Sequence, residues 1–357
     1  MPLEVFTIDE KQEWDSLVRS FKEYDVYYLS GYVRAFQIHG DGEPLLFYYK
    51  KSSEKGMLRG INVVMKRDIS EDIRFNGKIE PESWYDFSTP YGYGGWIVEG
   101  KDRESLLSLF EEYCKWCEQN NIVAEFVRYH PVLNNYQLTN GFYDVCALGP
   151  TISVDLENAE TIWHNFTGKN RNSIRKAMKS GIRIYNGRHP LLFERFREIY
   201  NDTMDKNSAD NYYYFKSDFY QSILTDLALQ AQVFFAELNG AVIAAAIILA
   251  SNGHLSYHLS GTVREYQNLA PTNLMLYKAA LWGCANGYQT LHLGGGVGRA
   301  RDGLYKFKES FYRGEPKRFH IGKRIFLNHK YKELVKIRKI EDKRFNQETS
   351  FFPQYRG

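Results

Sequence analysis

Residues 231–262 read AQVFFAELNGAVIAAAIILASNGHLSYHLSGT, three apolar runs separated by Asn239-Gly240 and Asn252-Gly253. Asn-Gly suits the two positive-φ positions of a tight hairpin turn, so the stretch predicts three strands in succession. They start at Ala231, Ala241 and His254. The middle run, Ala241 to Ala250, reads as a buried strand and is about half the length a membrane span needs. Downstream, a loop leads to a helix from about Pro271 to Ala285. Asn286-Gly287 ends it, with Gly287 suited to the left-handed position after a helix. A strand, Thr290 to Leu293, closes the series.

The N-terminal half repeats this order. Pro44 to Lys50 and Met57 to Lys66 read as paired strands, followed by a loop, Tyr85-DFSTPYGYGGW. A helix then runs from about Asp102 to Gln119, stops at Asn120-Asn121, and gives way to a strand from Ile122. Two such halves make a structural repeat of about 150 residues, not a solenoid. The boundary falls near Gly149-Pro150, before the strand that starts at Thr151. The expected domains are 1–149, 150–325, and a basic C-terminal helix and tail, 326–357, with ligands expected in the cleft between the first two.

The chain has 357 residues, a length that predicts about two domains. Its 43% hydrophobic and 25% charged content excludes a largely disordered protein. The N-terminal sequence MPLEVFTIDEKQEW lacks the basic and apolar regions of a secretory signal. Four scattered cysteines are too few for a disulfide framework in a chain this long. These features suggest a reduced, cytoplasmic protein with no membrane segment. Cys114 and Cys117 form a C-x-x-C near the end of the predicted helix, where a redox pair would instead open one. Without a second Cys/His pair they read as packing residues, and no metal is expected. The net charge of +3 argues against a basic nucleic-acid binder until it is divided by region. Residues 169–188 carry +7 and residues 313–344 carry +8, so the remainder carries −12. An RNA or phosphate partner therefore stays open.

Two segments carry candidate chemistry. In Lys169-NRNSIRKAMKSGI, helical spacing groups Ile174, Ala177 and Met178, leaving Lys169, Arg171, Arg175, Lys176 and Lys179 elsewhere on the surface. In Leu291-HLGGGVGRARDGLYKFKESF, Gly294, Gly295 and Gly296 at a strand end allow a sharp turn or close backbone approach. The string is neither a dinucleotide fingerprint nor a P-loop. It leads into a short helix on which Phe307 and Phe311 share a face and Lys308 points elsewhere. By pattern alone, Lys308 is as readily a surface lysine as a functional one. Near the C-terminus, Leu334, Ile337 and Ile340 are spaced along a basic helix. That helix reads as docked with a solvated face, as a phosphate-tracking surface for RNA, or as a contact for an anionic membrane.

The segment from Lys169 resembles the K-[TS]-R-x-x-[IV]-[RK]-x-A-x-K-x-G-[IV] element of the FemAB/FemX aminoacyltransferases, within the GNAT superfamily. Tyr257-HLSGT, Leu269-APTNLMLYKAALWGCANGY, Leu293-GGG and Asp302-GLYKFKESF are similar to that family's closing motifs, in the same order. The first half matches mainly through Pro90-YGYGG, which contains Tyr91. The resemblance implies an α/β (α+β) fold of two tandem GNAT-like domains, each a mixed sheet flanked by helices. It also implies aminoacyl transfer from aminoacyl-tRNA to an amine of a peptidoglycan or amino-sugar precursor, with no tightly bound cofactor. By that resemblance, Phe307 and Lys308 stabilise the oxyanion and Arg171 holds a phosphate. Tyr257 and Tyr305 would relay protons or position groups, unless they are satisfied core tyrosines. Lys169, Arg175, the three glycines and Tyr91 join the candidate substrate-binding set.

Two departures bear on substrates. The loop Gln267-NLAPTNL has no glycine and opens its helix with Pro271, which removes a backbone donor from an ordinary CoA cradle. This favours aminoacyl-tRNA over acetyl-CoA. The family's N-terminal Q-S-x-x-W element is replaced by Leu29-SGYVRAF, which weakens a UDP-sugar acceptor and leaves Arg34 as a substitute phosphate contact. The alternatives are an acyl-CoA-dependent N-acetyltransferase and a catalytically silent RNA- or partner-binding protein. The location expected is cytoplasmic, with room for contact at the inner membrane surface.

Overall fold

The structure, a computed structural model, describes residues 2–297, 301–346 and 349–357. The chain forms two compact units, one of residues 1–147 with 319–357 and one of residues 148–318.

The first unit opens with β1 (Leu3–Thr7), α1 (Lys11–Ser20) and α2 (Ser30–His39). The hairpin β2 (Glu43–Ser53) and β3 (Gly56–Asp68) follows, then β4 (Tyr85–Ser88), β5 (Ile97–Glu99), α3 (Arg103–Gln119) and β6 (Ile122–Arg128). β4 lies within the stretch read as a loop. It pairs antiparallel with β3 and parallel with β6, so α3 is the crossover between parallel strands. Asp102 caps α3 by accepting from the Glu104 N–H at 3.2 Å. The helix buries Leu109, Phe110, Tyr113 and Cys117 against Phe47, Phe87 and Trp96. Burial pushes the thiols of Cys114 and Cys117 up, and Arg324 Nη2 lies 3.6 Å from Cys114 Sγ.

The second unit takes the end of β7 (Asp144–Asp155), then α4 (Ala159–Asn165), α5 (Gly168–Lys179), β8 (Arg183–Gly187), α6 (Pro190–Lys206) and α7 (Ser217–Asp226). Next come β9 (Ala231–Leu238), β10 (Ala241–Ser251), β11 (His254–Thr262), α8 (Pro271–Ala285), β12 (Thr290–Gly294) and α9 (Gly303–Glu309). Its strand order is β7-β12-β11-β10-β9-β8. Both Asn-Gly turns have the predicted positive φ: 51° and 80° at Asn239-Gly240, 44° and 81° at Asn252-Gly253. β10 is buried from Ile243 to Ser251 because α6 and α8 both pack on it. β11 and β12 are parallel and α8 crosses between them. The second unit thus repeats the first unit's hairpin, strand, helix and parallel strand.

After residue 318 the chain returns to the first unit through β13 (Lys317–Ile325) and α10 (Asn328–Glu341). This differs from the expected division, which ended the second domain at 325 and set 326–357 apart. Residues 321–325 pair with Ala124–Arg128 of β6, and that ladder carries the strand into the first unit. α10 then buries Tyr331 and Leu334 with Ile69, Phe75 and Tyr355. Ile340, expected on the buried stripe, is 67% exposed. Met178 is likewise 42% exposed, and the buried face of α5 consists of Asn170, Ile174 and Ala177. In both helices hydrophobicity alone misjudged the face, because a buried polar residue, Asn170 or Arg338, is used instead.

Candidate functional site

The glycine run ends β12 where its register with β7 shifts between His292 and Gly294. Gly294 has φ +77°, a conformation that favours glycine. A Cβ on Gly295 would lie 2.9 Å from the Pro150 carbonyl oxygen, so a side chain there would force the backbones apart. This close approach leaves the Gly295 carbonyl to accept from Lys308 Nζ at 2.7 Å. Lys308 is therefore tied to the strand end.

Burial pushes the Lys308 ammonium down to about 8, against the opposing pull of the Asp302 carboxylate. Asp302 also shapes the loop. One carboxylate oxygen caps α9 by accepting from the Tyr305 N–H at 2.8 Å, and the other accepts from the Val297 N–H at 2.8 Å. These two bonds hold Asp302's own level down, against burial. α9 is seated by Tyr305 and Phe311, both 1% exposed. Phe307 packs edge-on against Phe311, with centroids 5.3 Å apart, so its ring serves the core.

Just beyond α9, the Ser310 carbonyl accepts from the Thr167 N–H at 2.9 Å and from Asn170 Nδ2 at 3.2 Å. Asn170 Oδ1 accepts from Asn273 Nδ2 at 2.8 Å. Asn170 thereby joins the starts of α5 and α8 to the end of the lysine-bearing helix. Neither Asn170 nor Asp302 was singled out from sequence. An Asp three residues before Tyr305 is a readable N-cap signal, whereas nothing local marks Asn170.

The basic residues of α5 are used differently from one another. Arg171 Nη1 donates to the Phe166 carbonyl at 2.7 Å and lies 3.4 Å from those of Trp163 and His164, closing the end of α4. Arg175 sits over the Trp163 ring at 5.2 Å, with Asn172 as a hydrogen-bond partner at 3.0 Å. Lys176 Nζ donates to the Asn268 carbonyl at 2.6 Å, tying down the loop before α8. Lys169 is exposed. At that loop, Ala270 has φ +57° and Pro271 is the first residue of α8. Thr272 and Thr262 hydroxyls meet at 2.8 Å.

Tyr257 packs on the same core as Tyr305 and Phe307. Its hydroxyl donates to Ser260 Oγ at 2.5 Å, and burial pushes it up to about 12, so it holds its proton at neutral pH. Its neighbour His258 is pushed down to about 3 by burial and stays neutral. Tyr305 is pushed up as well, by burial and then by Glu309. The remaining two candidates lie in the first unit. Arg34 is exposed and donates to Gln37 Oε1 at 2.7 Å. Tyr91 stacks on Phe36 at 5.3 Å, and its carbonyl accepts from the Tyr32 hydroxyl at 2.5 Å.

In chemical terms, the second unit offers an ammonium held at a strand end in low-dielectric surroundings, with one proton engaged by a carbonyl. Such a group stabilises negative charge developing on a carbonyl oxygen. No group of three or more His, Cys, Asp or Glu side chains placed to hold a metal ion occurs among the described residues. No described helix is long and apolar enough to cross a membrane.

Residues 168–309 match the family model of the acetyltransferase (GNAT) domain. That match defines the class of the second unit: residues 168–309 form a GNAT-type acyltransferase domain. The chain has the fold of FemX, a solved structure with a TM-score of 0.66 at 14% identity, covering 95% of this chain and 100% of that one. The C-terminal domain assigned to a lysylphosphatidylglycerol synthetase of Agrobacterium fabrum is also similar, with a TM-score of 0.52 at 14% identity over 88% of this chain and 92% of that one. A conserved protein of unknown function from Bacteroides thetaiotaomicron has a TM-score of 0.54 at 10% identity, over 90% and 99%. No curated protein matches the sequence.

Proposed function

We propose that this acyltransferase moves an aminoacyl group from aminoacyl-tRNA to an amine on a peptidoglycan or amino-sugar precursor. The neutral amine nitrogen would attack the ester carbonyl, and the oxyanion would collapse with loss of the tRNA hydroxyl. One amide bond forms, one ester bond breaks, and the amine's proton passes to the leaving oxygen or to solvent.

The observation that carries this reading is Lys308, a half-buried cation whose Nζ lies 2.7 Å from the Gly295 carbonyl oxygen. A catalytic ammonium gives a rate that falls as pH rises through about 8, because deprotonation removes the charge that stabilises the oxyanion. A general-base role would give the opposite limb. The donor preference rests on the start of α8, where Pro271 supplies no N–H to a pyrophosphate. The family-model match to an acetyltransferase domain favours a second reading, acetyl-CoA as donor to an amino sugar or small amine.

Incubating the purified chain with charged tRNA or acetyl-CoA, each with amino-sugar and peptide acceptors, separates the readings by mass spectrometry. Amide product from charged tRNA supports the proposal, and product from acetyl-CoA alone sinks it. Tight tRNA binding with no turnover from either donor identifies a silent binding protein.

A further inference from the structure

The outward face of α10 plays no part in the chemistry above. We propose that it is a docking surface for an anionic lipid headgroup layer, which goes beyond the acyl-transfer reading and does not depend on its donor or acceptor.

The argument starts with how the helix is held. Tyr331, Leu334 and Arg338 are buried in the first unit. The Tyr331 hydroxyl accepts from the Gln354 N–H at 2.9 Å, and Arg338 Nη2 donates to the Gly357 carbonyl at 3.0 Å. The helix is therefore fixed in rotation. At about 100° per residue, Lys332, Lys336 and Lys339 fall within roughly 60° of arc on the side away from those buried residues. Ile340, 67% exposed, lies beside Lys336 on the same side. Lys343 and Arg344 continue the cationic run past the helix end.

The acids of this segment are already engaged. Glu333 pairs with Lys330 at 2.9 Å, Glu341 with Lys78 at 2.7 Å, and Asp342 with Arg338 and Arg344 at 3.7 and 3.9 Å. Lys332, Lys336 and Lys343 form no ion pair with any described residue. Residues 313–344 carry +8, while all residues outside them carry −5 in sum. A strongly anionic partner complements that face, and repulsion from the acidic remainder orients the chain toward it.

Lipid fits better than nucleic acid for a local reason. RNA surfaces reward aromatic or guanidinium stacking beside their phosphate contacts. Along the helix itself this face offers instead lysine stems with an aliphatic side chain among them, the arrangement that settles at a headgroup boundary. Each lysine close to an anionic leaflet multiplies partitioning by about five, so the effect depends on several acting together.

The full chain is sedimented with vesicles of phosphatidylcholine alone or with about a third phosphatidylglycerol, at low and high salt. Expected results are binding to the anionic vesicles only, loss of most of it at high salt, and about 25-fold weaker binding for Lys332→Gln/Lys336→Gln. Ile340→Ser is expected to weaken binding without altering charge. All three positions are exposed, so unchanged thermal unfolding confirms that the variants fold. Absence of binding to anionic vesicles, or binding that the double variant leaves intact, overturns the proposal. So does a double variant that loses affinity for tRNA while keeping its affinity for vesicles.

Discussion

Replacing Glu125 with glutamine tests a buried acid in the first unit's core. Glu125 lies on β6 and is fully buried. Its carboxylate accepts from the Tyr143 hydroxyl at 2.6 Å, from Tyr113 at 3.0 Å and from Asn62 Nδ2 at 3.1 Å. Burial nevertheless prevails over these bonds and raises the group from 4.5 to about 7. An acid raised on folding stabilises the fold below its unfolded level, and that contribution disappears as pH rises through the folded one. Between pH 5 and pH 8 the loss amounts to roughly 2–3 kcal/mol from linkage alone. Glutamine keeps the shape and cannot ionise, and the two hydroxyls can reverse to accept from its amide. Urea unfolding is followed by fluorescence of Trp96 and Trp116, which pack in the same core. The stability difference between variant and parent should move toward the variant by about that amount from pH 5 to pH 8. A difference that stays constant across the range refutes the assignment, since every other titrating group is common to both proteins.

Three further outcomes follow from the geometry. Lys308→Met should lower kcat by about 10²–10³ with little change in KM, the signature of a lost oxyanion contact, and an unchanged kcat in steady-state assays removes that role. Asp302→Asn still caps α9 but lacks the charge that raises Lys308, so the alkaline limb of the pH–rate profile should shift to lower pH; an unmoved limb means Asp302 acts only as a cap. Arg356→Met should destabilise the first unit by about 3–5 kcal/mol, because Asp86 is buried and Arg356 Nε is bound to it at 2.6 Å. Arg67 and the Tyr355 hydroxyl, at 2.8 and 2.9 Å, would be left to hold that carboxylate, and a loss under 1 kcal/mol in chemical denaturation counts against the network.

Local grammar predicted much of this fold. The Asn-Gly turns, the helix stops at Asn120 and Gly287, and the hairpin, helix, strand order in both halves depend on neighbours only a few residues apart. β4 and β5 were missed because strands of four and three residues leave almost no periodic signal. The site was partly legible: Lys308 and the glycine run lay in recognisable motifs. Their partners were not, because the Ser310–Asn170–Asn273 bonds join residues more than a hundred positions apart.

Residue order and spacing alone therefore determined the repeat, the turns, and the position of a lysine after a glycine-rich strand end. Tertiary structure decided what each cation does. Lys308 becomes a perturbed ammonium because folding takes it out of water, while the Gly295 carbonyl holds its Nζ in place. Arg171, of the same charge in a more basic segment, is instead spent on the carbonyls that end α4. Burial and hydrogen-bond geometry set the energy of a charge, and both come from contacts that the chain makes only once folded.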